Sequence, residues 1–136
     1  MKTIFAFTLL FTICCFGQNK KLTDKEYNES GVGKIRFALN VQEAENLAKS
    51  DLKAKKPFLL IQGGIASIIY PTDKAFTKAY GVDYYDFGCV GAEKKISTAY
   101  NNIIFEYLCR TYGRKWKNII RKDVIGLKEY KKRNGC

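Results

Sequence analysis

Histidine is absent from this 136-residue chain. The absence excludes Ser-His-Asp and Cys-His nucleophile systems, the two-histidine zinc helix of metalloproteases and any zinc site that needs an imidazole, because no other side chain offers a neutral base near pH 7. Also missing are a Cys-x-x-Cys pair, a Gly-x-Gly-x-x-Gly or Walker-type loop, and any internal repeat, so dithiol exchange and the familiar nucleotide loops have no carrier. Acidic residues are few, 13 against 24 Lys and Arg, which leaves a net charge of +11. The carboxylates present do not cluster in a metal-binding pattern: Asp73 and Glu93-Lys94-Lys95 faintly mimic a nuclease arrangement, but both acids open helices, where the helix dipole accounts for them. Asp83 and Asp86 read as a solvated strand face. No metal site, no cofactor and no catalytic constellation is expected. What remains is one small basic domain.

The chain begins with Lys2, an apolar run from Ile4 to Phe16, and Gly17 before a polar stretch, the pattern of a secretory signal peptide over residues 1–17 with cleavage before Gln18. The run would make a helix of roughly 20 Å, short of the ~30 Å hydrocarbon core, so no integral membrane span is expected. Cys14 and Cys15 raise a lipoprotein alternative, which the bulky Ile13 opposes. The expected setting is the periplasm or the exterior, where disulfides persist. Cys89, Cys109 and Cys136 then remain, an odd count. Joining Cys89 to Cys109 is awkward because Cys109 lies about 20 Å into a long helix. Cys136 is the better partner if a bridge forms, its pairing being left open, and Cys109 is expected reduced and buried.

Residues 18–33 are polar and end in Gly31-Val32-Gly33, which reads as a flexible leader. A single α/β domain is expected over 34–127, followed by a basic tail over 128–136. Ile35, Phe37 and Leu39 alternate with Arg36 and Ala38 as in a short strand. Asn40 can cap a helix carrying Val41, Ala44, Ala48 and Leu52 at helical spacing, which Pro57 closes. Phe58 to Ile61 has the continuous apolar character of a central strand. Residues 62–70 fit either an apolar loop or a second short strand. Pro71 starts a helix that Gly81 stops, Val82 to Phe87 is a strand, and a long helix runs from about Glu93 to Tyr112 before Gly113. A last helix is expected to present Trp116, Ile119, Ile120 and Val124. This order predicts a small, mainly parallel sheet of about three strands with crossover helices and two C-terminal helices.

Leu59-Leu60-Ile61-Gln62-Gly63-Gly64-Ile65-Ala66, Tyr70, Thr72-Asp73-Lys74, Phe76-Thr77-Lys78-Ala79-Tyr80 and Asp86-Phe87-Gly88-Cys89 resemble the FEKKY-domain proteins, small exported proteins of Bacteroidota-type bacteria. The eponymous pentapeptide is kept at Phe76, Lys78 and Tyr80 and departs at Thr77 and Ala79. Trp116 and the segment Ile120 to Gly126 are similar to the family's C-terminal stretch. The resemblance implies compartment and domain extent. It supplies no activity, ligand or catalytic residue.

Two surfaces carry candidate function. The first is the basic C-terminal run: from Arg110 to Cys136 ten basic residues face only Asp123 and Glu129. Arg114, Lys115, Lys117, Arg121 and Lys122 are the expected contacts to a polyanion. Export disfavours nucleic acid and favours an anionic envelope surface, such as lipid head groups, or an acidic glycan. The second lies at the carboxyl ends of the strands, where open α/β sheets bind ligands. There Gln62, Gly63, Gly64, Tyr70, Asp86 and Cys89 are the candidate ligand contacts, with glycines that let backbone N–H groups approach a substrate. The basic face defines a non-enzymatic interaction module; the strand-end site defines a small enzyme or ligand receptor as the alternative. Cys89 lacks a partner base, and Trp116 fits the core better than a ligand site.

Overall fold

A computed structural model describes residues 22–133 and Cys136 of the chain. The expected signal peptide, residues 18–21 of the leader and residues 134–135 of the tail lie outside the described residues. Among the described residues six helices surround a two-stranded sheet: α1 (Asp24–Glu29), α2 (Gly31–Lys34), α3 (Val41–Lys53), β1 (Phe58–Ile61), α4 (Pro71–Tyr80), β2 (Asp83–Asp86), α5 (Lys94–Tyr112) and α6 (Leu127–Arg133). The fold is α/β with helices dominating, and residues 62–70 form a loop.

Local chemistry sets several boundaries where expected. The Asn40 side chain accepts from Glu43 N at 2.9 Å while Glu43 accepts from Leu39 N at 2.8 Å, an exchange that satisfies two free donors at the start of α3. α4 has Pro71 in its first turn, Asp73 accepting from Tyr70 N at 2.9 Å, and Gly81 in the left-handed region at its end. β1 and β2 pair in parallel, Phe58 opposite Asp83 through Ile61 opposite Asp86, with α4 in the connection between them. Residues 123–125 run antiparallel along the other edge of β1, where Gln62 N donates to Asp123 O at 3.2 Å and Ile125 N to Leu60 O at 3.0 Å. The third member of the sheet is thus a single bridge, Ile61 to Val124, and it is not parallel.

All four β1 residues are buried, so the strand is covered on both faces. α5 crosses it with Tyr100, Ile104, Phe105 and Leu108 wholly inside. Asn101, also wholly buried, accepts from Leu60 N at 2.9 Å and donates to Leu60 O at 2.8 Å and to Ile125 O at 2.9 Å. One side chain thereby ties the helix to both neighbouring chains and leaves no orphan amide of its own.

Four expectations are corrected. The segment read as a flexible leader is, from Asp24 on, helical, and its Val32 belongs to the core together with Ile35 beyond it. Gly31 makes this packing feasible: its N–H donates to Asp51 Oδ1 at 2.8 Å, and a Cβ there would fall 2.6 Å from Asp51 Oδ2. The strand read at Ile35 to Leu39 is a 3₁₀ turn over Ile35–Phe37 followed by extended chain. Both edges of β1 are already occupied, and Phe37 and Leu39 are left 79% and 85% exposed. The last helix, read from Trp116 to Val124, is a 3₁₀ turn over Lys115–Asn118 and then the bridging chain. Trp116 is buried as expected, stacked on Phe105 with ring centroids 5.7 Å apart.

The fourth correction is the tail. Residues read as a basic tail form α6, anchored by buried Leu127 and Tyr130, the latter ring 4.9 Å from Phe105. Docking α6 beside α5 carries the chain end back to Cys109, which forms a disulfide with Cys136 across a Cα separation of 5.4 Å. Cys109 is therefore oxidised and half-buried rather than reduced and fully buried, and Cys89 is free and exposed.

Candidate functional site

The carboxyl ends of β1 and β2 open onto a cavity of about 330 Å³. Gln62, Gly63 and Cys89 line it, together with Gly88, Gly91, Lys94 and Ser97. Gly64 stands beside it, exposed. Asp86 is set behind the wall: its Oδ1 accepts from Gly88 N at 2.7 Å and would lie 1.7 Å from a Cβ on Gly63. No residue but glycine fits at 63 without moving that turn. Cys89 has no hydrogen-bond partner among the described residues, so nothing adjacent prepares it as a nucleophile.

Tyr70 is not part of this cavity. It lies across the molecule's loop edge, in a separate hollow of about 320 Å³ shared with Ile119 and Lys122. Its displacement follows from Arg121, whose guanidinium sits 4.7 Å from the Tyr70 ring centroid and 5.5 Å from that of Tyr84. Arg121 is the largest correction to the expected anion contacts. Its side chain is only 6% exposed and is consumed internally: Nη1 donates to Asp73 Oδ2 at 3.0 Å and to Ile68 O at 2.8 Å, while Nε donates to Asp123 Oδ1 at 2.9 Å. Nη2 makes a second bond to Asp123, at 2.5 Å, completing a forked pair. Hydrogen bonding to Arg121 holds the Asp123 carboxyl below its ordinary range. Burial raises the Tyr84 phenol well above its ordinary value, and its oxygen accepts from Arg121 N at 3.2 Å. Arg121 thus pins the 62–70 loop, α4 and the bridging chain together. Its guanidinium is engaged inside the fold rather than presented to an anionic surface.

The remaining basic residues behave differently. Lys131 Nζ donates to Lys117 O at 2.9 Å, and Lys117 Nζ lies 5.8 Å from the ring centroids of both Trp116 and Tyr130. Burial, and after it the charges of Lys117 and Lys122, push the Lys131 ammonium below the usual lysine value. The two acids of this run are used elsewhere, Asp123 by Arg121 and Glu129 by Lys94 at 3.7 Å. Among the described residues no carboxylate lies within ion-pair reach of Lys115, Lys122 or Lys131. Arg114 donates from Nε to the Cys136 carbonyl oxygen, so it faces the chain end. Of the five expected contacts, Lys115, Lys117 and Lys122 stay on the surface patch, Arg114 borders it and Arg121 leaves it. Lys131 is the residue that sequence reasoning missed, because it was assigned to a tail; its four-residue spacing from Leu127 and one-residue offset from Tyr130 were the available helical signal.

Beside the patch, the 62–70 loop exposes apolar side chains, Ile65 at 99%, Ile69 at 79% and Ile68 at 59%. Ile119, also exposed, shares the hollow with Tyr70 and Lys122 and so connects the two features. Among the described residues no cluster of acids and cysteine could hold a metal ion, and no helix is long and apolar enough to cross a membrane. No family model, no curated protein and no solved structure matches the chain.

Proposed function

We propose that this chain is an exported, non-enzymatic module that docks on an anionic lipid surface through its C-terminal cationic face. The observation that carries the reading is that Lys122 and Lys131 converge beside Lys117 while, among the described residues, no carboxylate lies within ion-pair reach of Lys122 or Lys131. A folded domain that keeps such like charges together, one of them partly desolvated, gains when a negative surface meets them. Each lysine near an anionic membrane contributes about 1 kcal/mol. The exposed isoleucines favour lipid over glycan, since apolar groups next to cations complement a head-group layer above acyl chains, whereas a glycan offers them nothing. The Cys109–Cys136 disulfide fits an oxidising compartment, in keeping with the signal-like N-terminal sequence.

Co-sedimentation with vesicles of phosphatidylglycerol in phosphatidylcholine, beside retention on immobilised heparin, tests this reading. The native chain is expected to bind the anionic vesicles in a salt-sensitive way and neutral vesicles weakly. Replacing Lys122 and Lys131 by Glu should weaken both vesicle and heparin binding by tenfold or more. Replacing Ile65 and Ile69 by Ser should weaken vesicle binding alone. Heparin retention without vesicle binding would assign the face to acidic glycans, and binding unaffected by the lysine changes would remove the face from the function.

A further inference from the structure

We propose that the cavity at the ends of β1 and β2 is a binding site for a small organic carboxylate, with Ser97 and Lys94 as its polar contacts. Ser97 is wholly buried in the first turn of α5, lines the cavity, and its Oγ has no hydrogen-bond partner. A buried hydroxyl without a partner is costly, and a serine kept there, where alanine would pack equally well, points to a group that arrives from the cavity. Two further features describe that group. The site lies at the N-terminus of a 19-residue helix, with Lys94 on its wall, so its acceptor is favoured when negative. The backbone N–H groups of Gly63, Cys89 and Gly91, all lining residues, donate to no other group among the described residues, which supplies more donors than the protein itself uses.

The charged groups around the site limit the ligand's charge. Lys94 is shared with Glu129 at 3.7 Å, and the Asp86 carboxylate stands behind Gly63 with one oxygen already occupied by Gly88 N. One partly shared cation against one nearby acid suits a monoanion better than a phosphate dianion. The apolar remainder of the wall, Ile61, Phe87, Ala92 and Ile125, suits a hydrocarbon or aromatic body, and about 330 Å³ is the volume of a small-molecule site. Exposed Cys89 at the rim reports on occupancy.

Alkylation of Cys89 by iodoacetamide, followed on its own peptide by mass spectrometry in the full chain, provides the assay. Benzoate is the probe, with benzamide and inorganic phosphate as controls of shape and charge. Benzoate is expected to slow alkylation several-fold in a saturable way, benzamide and phosphate far less. Ser97→Ala should weaken benzoate about tenfold, the loss of one hydrogen bond to a charged group. Its unfolding midpoint should stay level or rise, because the unpartnered hydroxyl is gone. Lys122→Glu with Lys131→Glu should leave protection intact, separating this site from the basic face. Equal protection by benzoate and benzamide, protection by neither, or a Ser97→Ala variant as well protected as the native chain would overturn the proposal.

Discussion

Arg121 and Lys122 are neighbours in one basic run, and the fold gives them opposite roles. Arg121 is enclosed by two carboxylates, a carbonyl and two tyrosine rings, and is nearly inaccessible. Lys122 is exposed, and its charge acts on the Lys131 ammonium. The planar guanidinium explains the difference: it spans Asp73 and Asp123 at once and stacks between rings, which an ammonium cannot do. Counting positive charge along a sequence therefore overstates the surface available to a partner. The charges that matter for binding are those the fold has not already matched.

The strongest way to break this contrast is to remove the matched cation. Arg121→Ala leaves Asp73 and Asp123 without their partner and frees the loop held through Ile68 O. The expected cost is roughly 3 kcal/mol or more, read by urea denaturation, and Arg121→Lys should recover little of it. A cost within the range of a surface substitution would mean that the cluster is dispensable and that Arg121 is no more structural than Lys122.

The disulfide is the next lever, since it fastens the chain end beside the cationic face. Removing it through Cys136→Ser lengthens the unfolded state's freedom over a separation of 27 residues, for an expected loss of about 2–3 kcal/mol. Thermal unfolding with and without reductant checks the value independently, because reductant should lower the native midpoint and leave the variant's unchanged. In the chain from Gln18 onward, one thiol, that of Cys89, is expected to titrate both before and after denaturation without reductant. A second thiol appearing in denaturant would restore the reduced Cys109 inferred from sequence.

Much of the middle of the fold was legible because its signals are local. Asn40, Pro71, Gly81 and Gly113 mark helix ends through their own backbone and side-chain chemistry, and the apolar run at Phe58 to Ile61 needs no knowledge of its neighbours. The two ends were misread because their structure comes from distant contacts. α2 depends on Gly31 meeting Asp51, and the Trp116 region on stacking against Phe105 and bridging at Ile61, none of which leaves a periodic trace. The same reason divides the candidate sites. Gly63 and Cys89 follow directly from the strand ends, whereas Ser97 joins them only because α5 packs there. Alternation at Ile35, Phe37 and Leu39 misled because a strand also requires a vacant edge.

A smaller effect on stability, but a sharper test of the contrast, is expected from the unmatched lysines. Lys122→Glu with Lys131→Glu removes the repulsion among Lys117, Lys122 and Lys131 and sets acids beside Lys117, which offsets the lost Lys131 bond to Lys117 O, so stability should change by no more than about 0.5 kcal/mol. Binding to anionic vesicles at low salt should nevertheless fall by tenfold or more, on the order of 1 kcal/mol for each charge removed. Arg121→Ala and this variant thus exchange signatures, one losing stability and the other affinity. A large destabilisation in the lysine variant would erase the distinction.

The same contrast between matched and unmatched charge extends to two carboxylates, and pH separates them. Asp123 is paired with Arg121, and hydrogen bonding to that guanidinium lowers its pKa below the usual aspartate value. Asp51 has no cation bonded to it; burial raises it, and the hydrogen bonds from Gly31 N and Tyr100 OH, at 2.8 and 2.6 Å, with the charge of Lys34 after them, offset only part of that rise. A lowered carboxyl contributes stability that is present above its unfolded value and lost as pH falls through the folded one. A raised carboxyl contributes stability that is present below its unfolded value and lost as pH rises through the folded one. Between about pH 7 and pH 4, the advantage of the native chain over Asp51→Asn should therefore grow, while its advantage over Asp123→Asn should hold to about pH 5 and shrink as pH falls below about 4, each by a modest amount in urea unfolding. Slopes of the same sign would show that Asp51 finds a compensating charge in the folded protein after all, and that burial without a cation does not distinguish it from Asp123.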